Sequence, residues 1–307
     1  VTGLTMSKPD SITQQLYQAL RRGRELCAPE ALSAMAEFVA GQQHGDGGFV
    51  NRAGVADGYY GMFGLLLASV LDARIDLGRL DTALARQDPR ALDLVHLLCL
   101  LRSRLLAAFL RVAPGLRGVA ALLPAARALP KDWRDAAHDL LATGDPGRFP
   151  NHDAQSPYSQ FLALSLAQDA GLPWAVADLR PYQLASGLFS NERGGAIASV
   201  NATSAALVLA RYGQGGVAVA ASALDAFAAL QRPDGSFPAV AAAPAGDLLS
   251  TATACFALSL YDRRPPHSPR AFLYDAFTAS GGFSAGPGDD VADLEYTTYG
   301  LLTMGVL

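Results

Sequence analysis

The chain has 307 residues, half of them hydrophobic and 17% charged, with a formal net charge of −4. That composition supplies a large apolar core and excludes a disordered chain, while the weak negative charge excludes a general polyanion-binding surface. Nucleic acid is therefore not an expected partner, and the wealth of Ala and Leu with few alternating β-branched runs points to an all-α fold.

From the N-terminus, the stretch VTGLTMSKPD has no basic segment followed by an apolar core, so no signal peptide is expected. Val1 reads as an alternative start, with Met6 as a second candidate. Residues 1–28 read as an extension with one helix, and residues 29–307 as a single domain. Cys27, Cys99 and Cys255 form no CxxC pair and read as reduced thiols, which places the chain in a bacterial-type cytoplasm. Apolar stretches such as Leu65 to Leu71 and Leu92 to Leu101 are too short to span a bilayer.

Two turns share the pattern QxxDG[GS]F, at Gln43 to Phe49 and at Gln231 to Phe237. Each comes after an alanine-rich helical stretch, Ala31 to Gln42 and Ala218 to Leu230. A third copy is Ala279 to Phe283, and weaker copies are Asp145 to Phe149 and Ser186 to Phe189. The segments downstream of the turns are also related: Ala56 to Leu66 aligns without a gap on Ala292 to Leu302, with an echo at Ala91 to Leu101. Small-residue helices are expected after the other turns, at Ser156 to Ala167, Ser199 to Leu209 and Asp247 to Leu260. Residues 102–140 fit worst, because Pro114, Pro124 and Pro130 break helices, and an irregular repeat is expected there.

Each repeat has a physical logic. A helix ends on glycines that accept a left-handed backbone, and the turn Asp satisfies free amides. Phe folds back between helices, and an Asp, Ser or Thr caps a second, nearly all-apolar helix. Such a pair cannot bury its own surface, so repeats stack, and closing them into a ring removes exposed ends. The chain length divides into about six units of roughly fifty residues, enough for two helices and two loops each. The expected architecture is an α/α toroid of about six helix pairs.

These repeats resemble the prenyltransferase and squalene-oxidase repeat family, which includes terpenoid cyclases and protein prenyltransferase β subunits. The resemblance implies an α/α barrel whose central cavity holds an isoprenoid or other apolar small molecule, and it raises a partner protein subunit as an expectation. The last repeat, GGFSAGPGDDVADLEYTTYGLLTMGVL, is most like that of a prenyltransferase β subunit. Tyr296 stands where that family has its zinc-binding His, and no D-x-C pair accompanies Cys255, so zinc and conventional cysteine prenylation are not expected. The D-x-D-D acid of protonation-initiated cyclases is also absent. Asp289, Asp290 and Asp293 spell DDxxD, the weak candidate for a metal site, with magnesium as its cation; otherwise no cofactor is expected. Their alternative reading is two solvated loop acids and a helix cap.

The capping positions Asp57, Asp93 and Asp293 place Tyr60, His96 and Tyr296 at equivalent levels three residues on. Catalytic candidates are His96, Asp57, Tyr296 and Asp293; ligand-binding candidates are Tyr60, Arg193, Glu295 and Tyr299. His96 would act as acid or base and the tyrosines as donors or π-faces. The alternative is that these are caps and satisfied interior aromatics. His44 and His152 read as loop histidines. Arg193, in Asn191 to Gly195, offers a guanidinium beside glycine amides for a diphosphate. No P-loop, GxGxxG, HExxH or GxSxG motif occurs. The leading expectation is a cyclase- or prenyltransferase-like protein acting on an isoprenoid. A non-catalytic binding or interaction scaffold is the second expectation. An α/α-barrel carbohydrate enzyme using Asp57 and Glu295 is the third, weakened by having only Trp133 and Trp174 as tryptophans.

Overall fold

The computed structural model describes residues 10–111 and 129–307. Its described residues form twelve α-helices and no strand, only isolated bridges. In chain order these are α1 (Ile12–Glu25), α2 (Pro29–Gly41), α3 (Gly58–Leu71), α4 (Leu77–Ala85), α5 (Leu94–Leu110) and α6 (Lys131–Thr143). They continue with α7 (Pro157–Ala170), α8 (Val200–Arg211), α9 (Ala221–Ala228), α10 (Leu248–Ser259), α11 (Arg270–Ala276) and α12 (Leu294–Gly305). The start residues Val1 and Met6 lie outside the described residues, as do Pro114 and Pro124. The helix α5 runs on to Leu110, and Pro130 stands at the N-cap of α6, so both flanks of the expected irregular stretch are regular helix.

Six helices start the same way. Asp57, Asp93, Ser156, Ser199, Asp247 and Asp293 stand in extended backbone, and each side chain accepts an N–H from the first turn of α3, α5, α7, α8, α10 and α12 respectively. Each cap satisfies a donor that the helix itself leaves open and is worth about 1 kcal/mol. These six helices contact one another in a closed order: α3 on α5, α5 on α7, α7 on α8, α8 on α10, α10 on α12, and α12 back on α3. Helices α2, α4, α6 and α9 flank this cycle, packing on α3, α5, α7 and α10. Before α8 a 3-10 turn, Arg180–Tyr182, stands where a flanking helix would be.

The turns explain the recurring motif. Gly47, Gly187, Gly235 and Gly281 all have positive φ, between 83° and 100°. Each also abuts the next flanking element: Arg79 of α4, Ala223 of α9, Ser268 and Pro269 before α11, and Ala34 of α2. The motif glutamines act as clamps. Gln43 donates to Gly47 O at 3.1 Å and to Asp76 O at 3.0 Å, and accepts from Asp76 N at 2.7 Å. Gln231 repeats this with Gly235 and His267, so one amide ties each turn to the following unit. The motif phenylalanines are pinned by their backbone. Phe189, Phe237 and Phe283 donate N–H to Thr203, Thr251 and Thr297 at 2.9 to 3.0 Å, each fourteen residues downstream.

Helix α1 crosses the C-terminal ends of the cycle and packs on α3, α7 and α12. Arg22 donates to Gly305 O at 2.9 Å and Arg24 to Val70 O at 2.8 Å, where cations meet the unsatisfied carbonyls of helix ends. A Cβ on Gly23 would meet the backbone of Leu301, and one on Gly305 would meet that of Ala19. The two helices therefore touch through their backbones. No helix among the described residues is long and apolar enough to cross a membrane.

Candidate functional site

A cavity of about 190 Å³ lies among the six cycle helices and α1. Its lining keeps to one register. Helix α3 contributes Tyr59, Met62, Phe63 and Leu66, and α5 contributes Val95, Leu98, Cys99 and Arg102. Counted from the caps Asp57 and Asp93, these are the second, fifth, sixth and ninth residues. Helix α8 supplies the same four positions from Ser199, and α7, α10 and α12 supply three of the four. That stripe is what a helix of 3.6 residues per turn presents to one side. Leu16 and Leu20 of α1 cover the end at the ninth residues.

On α12 the second residue after the cap is Glu295. Tyr59 OH donates to its Oε1 at 2.6 Å and Tyr299 OH to the same oxygen at 3.3 Å. Burial pushes the carboxyl above its usual range, against the two tyrosine hydrogen bonds; neighbouring Asp293 pushes in the same direction as burial. Burial also drives both phenols well up, so they remain donors at any ordinary pH. Tyr59 stacks edge-on against Phe63 at 5.0 Å and Phe63 against Tyr299 at 6.0 Å. The result is a protonatable carboxyl held by two phenols at the edge of an aromatic-walled cavity.

Outside this group stands a charged cluster. Arg52 is paired with Asp289, contacts Asp293 Oδ2 at 3.1 Å and lies over the Tyr296 ring at 5.7 Å. Asp293 is buried and caps α12 through Tyr296 N at 2.8 Å. Its carboxyl is nevertheless raised, because burial outweighs the capping bond and Arg52. Asp290 is exposed. The DDxxD string is thus engaged by a guanidinium at two of its three carboxylates, and its third points to solvent. Among the described residues no three His, Cys, Asp or Glu side chains cluster as metal ligands. The zinc site implied by the resemblance does not fit these side chains either: Tyr296 faces Arg52, and Cys255 is buried with its thiol pushed to about 12.

Other candidates are dispersed. Tyr299 lines the cavity, but Tyr60, His96 and Tyr296, one residue past the lining register, do not. His96 is exposed and its Nδ1 sits 2.8 Å from its own cap, Asp93. His96 and Asp57 instead border a second pocket between α3, α4 and α5. Burial raises the Tyr60 phenol to about 12. Arg193 is exposed, donates to Gln155 at 2.6 Å and lies 5.4 Å over Tyr182. His44 pairs with Asp46 at 3.0 Å, and His152 is exposed in the loop before α7.

Tyr59, Tyr158 and Arg102 were not singled out by sequence reasoning. The available signal was the second position after each cap, where Tyr59, Tyr158 and Glu295 recur. Burial pushes the Tyr158 phenol to about 12. No known protein-family model matches the chain, and no curated protein matches it in sequence.

Proposed function

We propose that the closed cycle of helices is an α/α toroid of the terpenoid-cyclase and prenyltransferase kind, and that its lumen binds a small apolar molecule, isoprenoid or similar. The observation that carries this reading is the cavity, lined at one repeating register by all six cycle helices and edged by the Tyr59–Glu295–Tyr299 group. Ligand sites are concave and mostly apolar, with a few convergent polar groups, and this cavity has that composition. Contact between Gly281 of the last turn and Ala34 of α2 supports ring closure, because the last repeat meets the first there.

Glu295 is the group with chemistry to offer. Oε1 accepts from both tyrosines, which leaves Oε2 as the site for a proton. In its acid form, which partial burial favours, the carboxyl can donate that proton to a bound alkene or carbonyl, and the conjugate carboxylate is then stabilised by two phenol hydrogen bonds. Aromatic faces from Tyr59, Phe63 and Tyr299 suit a developing cation. Neither zinc nor magnesium takes part in this reading, and the protein acts as a binding protein with acid catalysis at one wall.

A second reading, a non-catalytic scaffold, is favoured by the cavity volume. About 190 Å³ falls below the roughly 300–1,000 Å³ common for ligand sites. The carbohydrate reading lacks support, since Asp57 borders the pocket between α3, α4 and α5, whereas Glu295 is held by the cavity-lining Tyr59 and Tyr299.

The test is a thermal unfolding series with ten- and fifteen-carbon terpenoids, free and as diphosphates, against wild type and Ala205→Phe. Ala205 lines the cavity and is 5% exposed, so the added ring occupies the lumen. A saturable rise in midpoint that Ala205→Phe abolishes supports the reading. No rise for any ligand at concentrations well above micromolar leaves the scaffold.

A further inference from the structure

The far end of the cavity from Glu295 carries one cationic side chain, Arg102 of α5. Its side chain is 11% exposed and that of Asp169, on α7, is 4% exposed. Arg102 Nε donates to Asp169 Oδ2 at 2.6 Å, and Thr13 of α1 donates to Asp169 Oδ1 at 2.7 Å. The carboxylate thus neutralises the guanidinium and is itself satisfied on both oxygens.

The guanidinium is not satisfied. It has five N–H donors, and only the Nε bond has a protein acceptor among the described residues. Nη2 is buried without any hydrogen-bond partner. The two buried Nη2 donors, left without an acceptor beside an apolar cavity, demand an oxygen, because buried donors left open cost about 1–3 kcal/mol each.

The charge balance decides which oxygen. A diphosphate or carboxylate brought to Arg102 would share one buried cation with Asp169 and leave net negative charge in a low-dielectric site. A hydrocarbon would leave the donors open. A carbonyl or hydroxyl oxygen accepts without adding charge. The other cations give no alternative: Arg52 is engaged by Asp289 and Asp293, and Arg193 is exposed away from the lining.

Size comes from the same geometry. Arg102 is the ninth residue after its cap and Glu295 the second, an axial offset of about 10 Å at 1.5 Å per residue. A dry cavity of about 150 Å³ accepts benzene, so about 190 Å³ suits a guest of about six to ten carbons. We propose that the lumen selects a neutral, oxygenated apolar molecule of that size, a terpenoid-type alcohol or carbonyl compound, with its oxygen accepting from Arg102. The proposal rests on the lumen being a binding site at all and adds the chemical class of its ligand.

The experiment compares one ten-carbon skeleton in five forms: the hydrocarbon 2,6-dimethyl-2,6-octadiene, geraniol, geranial, geranic acid and geranyl diphosphate. Dissociation constants are measured by midpoint shift and calorimetry on the full chain. The alcohol or aldehyde is expected to bind about tenfold tighter than the hydrocarbon, the worth of one charge-assisted hydrogen bond, and tighter than either anion. Arg102→Met alone would strand the buried Asp169, so the variant pairs Arg102→Met with Asp169→Asn. There the oxygenated ligands should fall to the affinity of the hydrocarbon, whose own affinity stays within about twofold. Ala205→Phe should weaken every member of the series. Equal wild-type binding of alcohol and hydrocarbon overturns the role of Arg102 but leaves the lumen a site. Tightest binding by the acid or diphosphate overturns the neutral-ligand assignment. Binding by no member overturns the underlying reading and this one with it.

Discussion

Replacing Gly281 by Ala tests ring closure directly. Gly281 has φ of +87°, and a Cβ there would stand 2.6 Å from Ala34 O and 2.8 Å from Ala34 C. Both are backbone atoms of α2, which cannot yield as a flexible side chain does. Two costs add. A left-handed conformation for an L-residue costs about 1–2 kcal/mol. Overpacking against rigid neighbours costs about 1–3 kcal/mol more. The sum is about 2–5 kcal/mol. For a chain of this length a loss of 1 kcal/mol lowers Tm by about 2 °C, so Gly281→Ala should lower it by about 4–10 °C. The control is Gly54→Ala, where φ is +76° but no atom lies within 4 Å. Only the backbone cost applies there, and Tm should fall by about 2–4 °C. Differential scanning calorimetry at neutral pH reads both. Equal losses in the two variants would refute the contact between the last turn and the first flanking helix, and the closed ring with it.

Three further outcomes are expected from the same geometry. Glu295 has a raised pKa in the folded chain, so wild type loses stability as pH rises from the ordinary carboxyl range, about 4.3, through the raised value. Glu295→Gln keeps an acceptor for Tyr59 and Tyr299 and removes that loss; its Tm should gain on wild type as pH rises above about 4.3, and a constant offset would count against a raised Glu295 carboxyl. Thr297→Val deletes the acceptor of the Phe283 N–H, bonded at 3.0 Å in a buried setting, and should cost about 1–3 kcal/mol by urea denaturation; the same change at Thr203 or Thr251 should cost a similar amount, and no loss at any of the three would undo the repeat account. Arg52→Met strips Asp293, whose side chain is 4% exposed, of its cation, although Arg52 itself is 38% exposed. The discounted cost is about 1–3 kcal/mol at pH 7, shrinking as pH falls and Asp293, whose carboxyl is raised by burial, protonates, and a pH-independent loss would point to lost packing instead.

The resemblance between residues 56–66 and 292–302 has a steric cause. Gly64 and Gly300 are its seventh residues after the caps, and a Cβ on Gly300 would stand 2.6 Å from the Phe283 ring, while one on Gly64 would strike the Phe49 ring. In these two repeats the motif Phe lies against a glycine, while Phe189 and Phe237 precede helices with Ala206 and Ala254 at that position. Helices, caps and turns were legible for the same reason: each is satisfied by residues within about fifteen positions, and local chemistry leaves a local pattern. Residues 102–110 depart from the expected irregularity because the continuing apolar run of α5 outweighs prolines that stand further along the chain.

The cavity wall was a different matter. The cycle helices are buried on nearly every side, so their sequences have no polar face to mark which direction points inward. Counting three residues from the cap selected Tyr60, His96 and Tyr296, whereas the packed helices turn the second and sixth residues to the cavity. Arg52 reaches Asp289 and Asp293 across more than two hundred positions, and Thr13 and Arg102 meet at Asp169 from three separate helices. The sequence by itself determined the helical class, the capped and glycine-terminated units and their repetition, because these answer to short-range hydrogen bonding and sterics. Only the tertiary structure decided which side chains share the cavity, which acids are neutralised and what α1 covers, because those depend on how each helix is rotated against its neighbours.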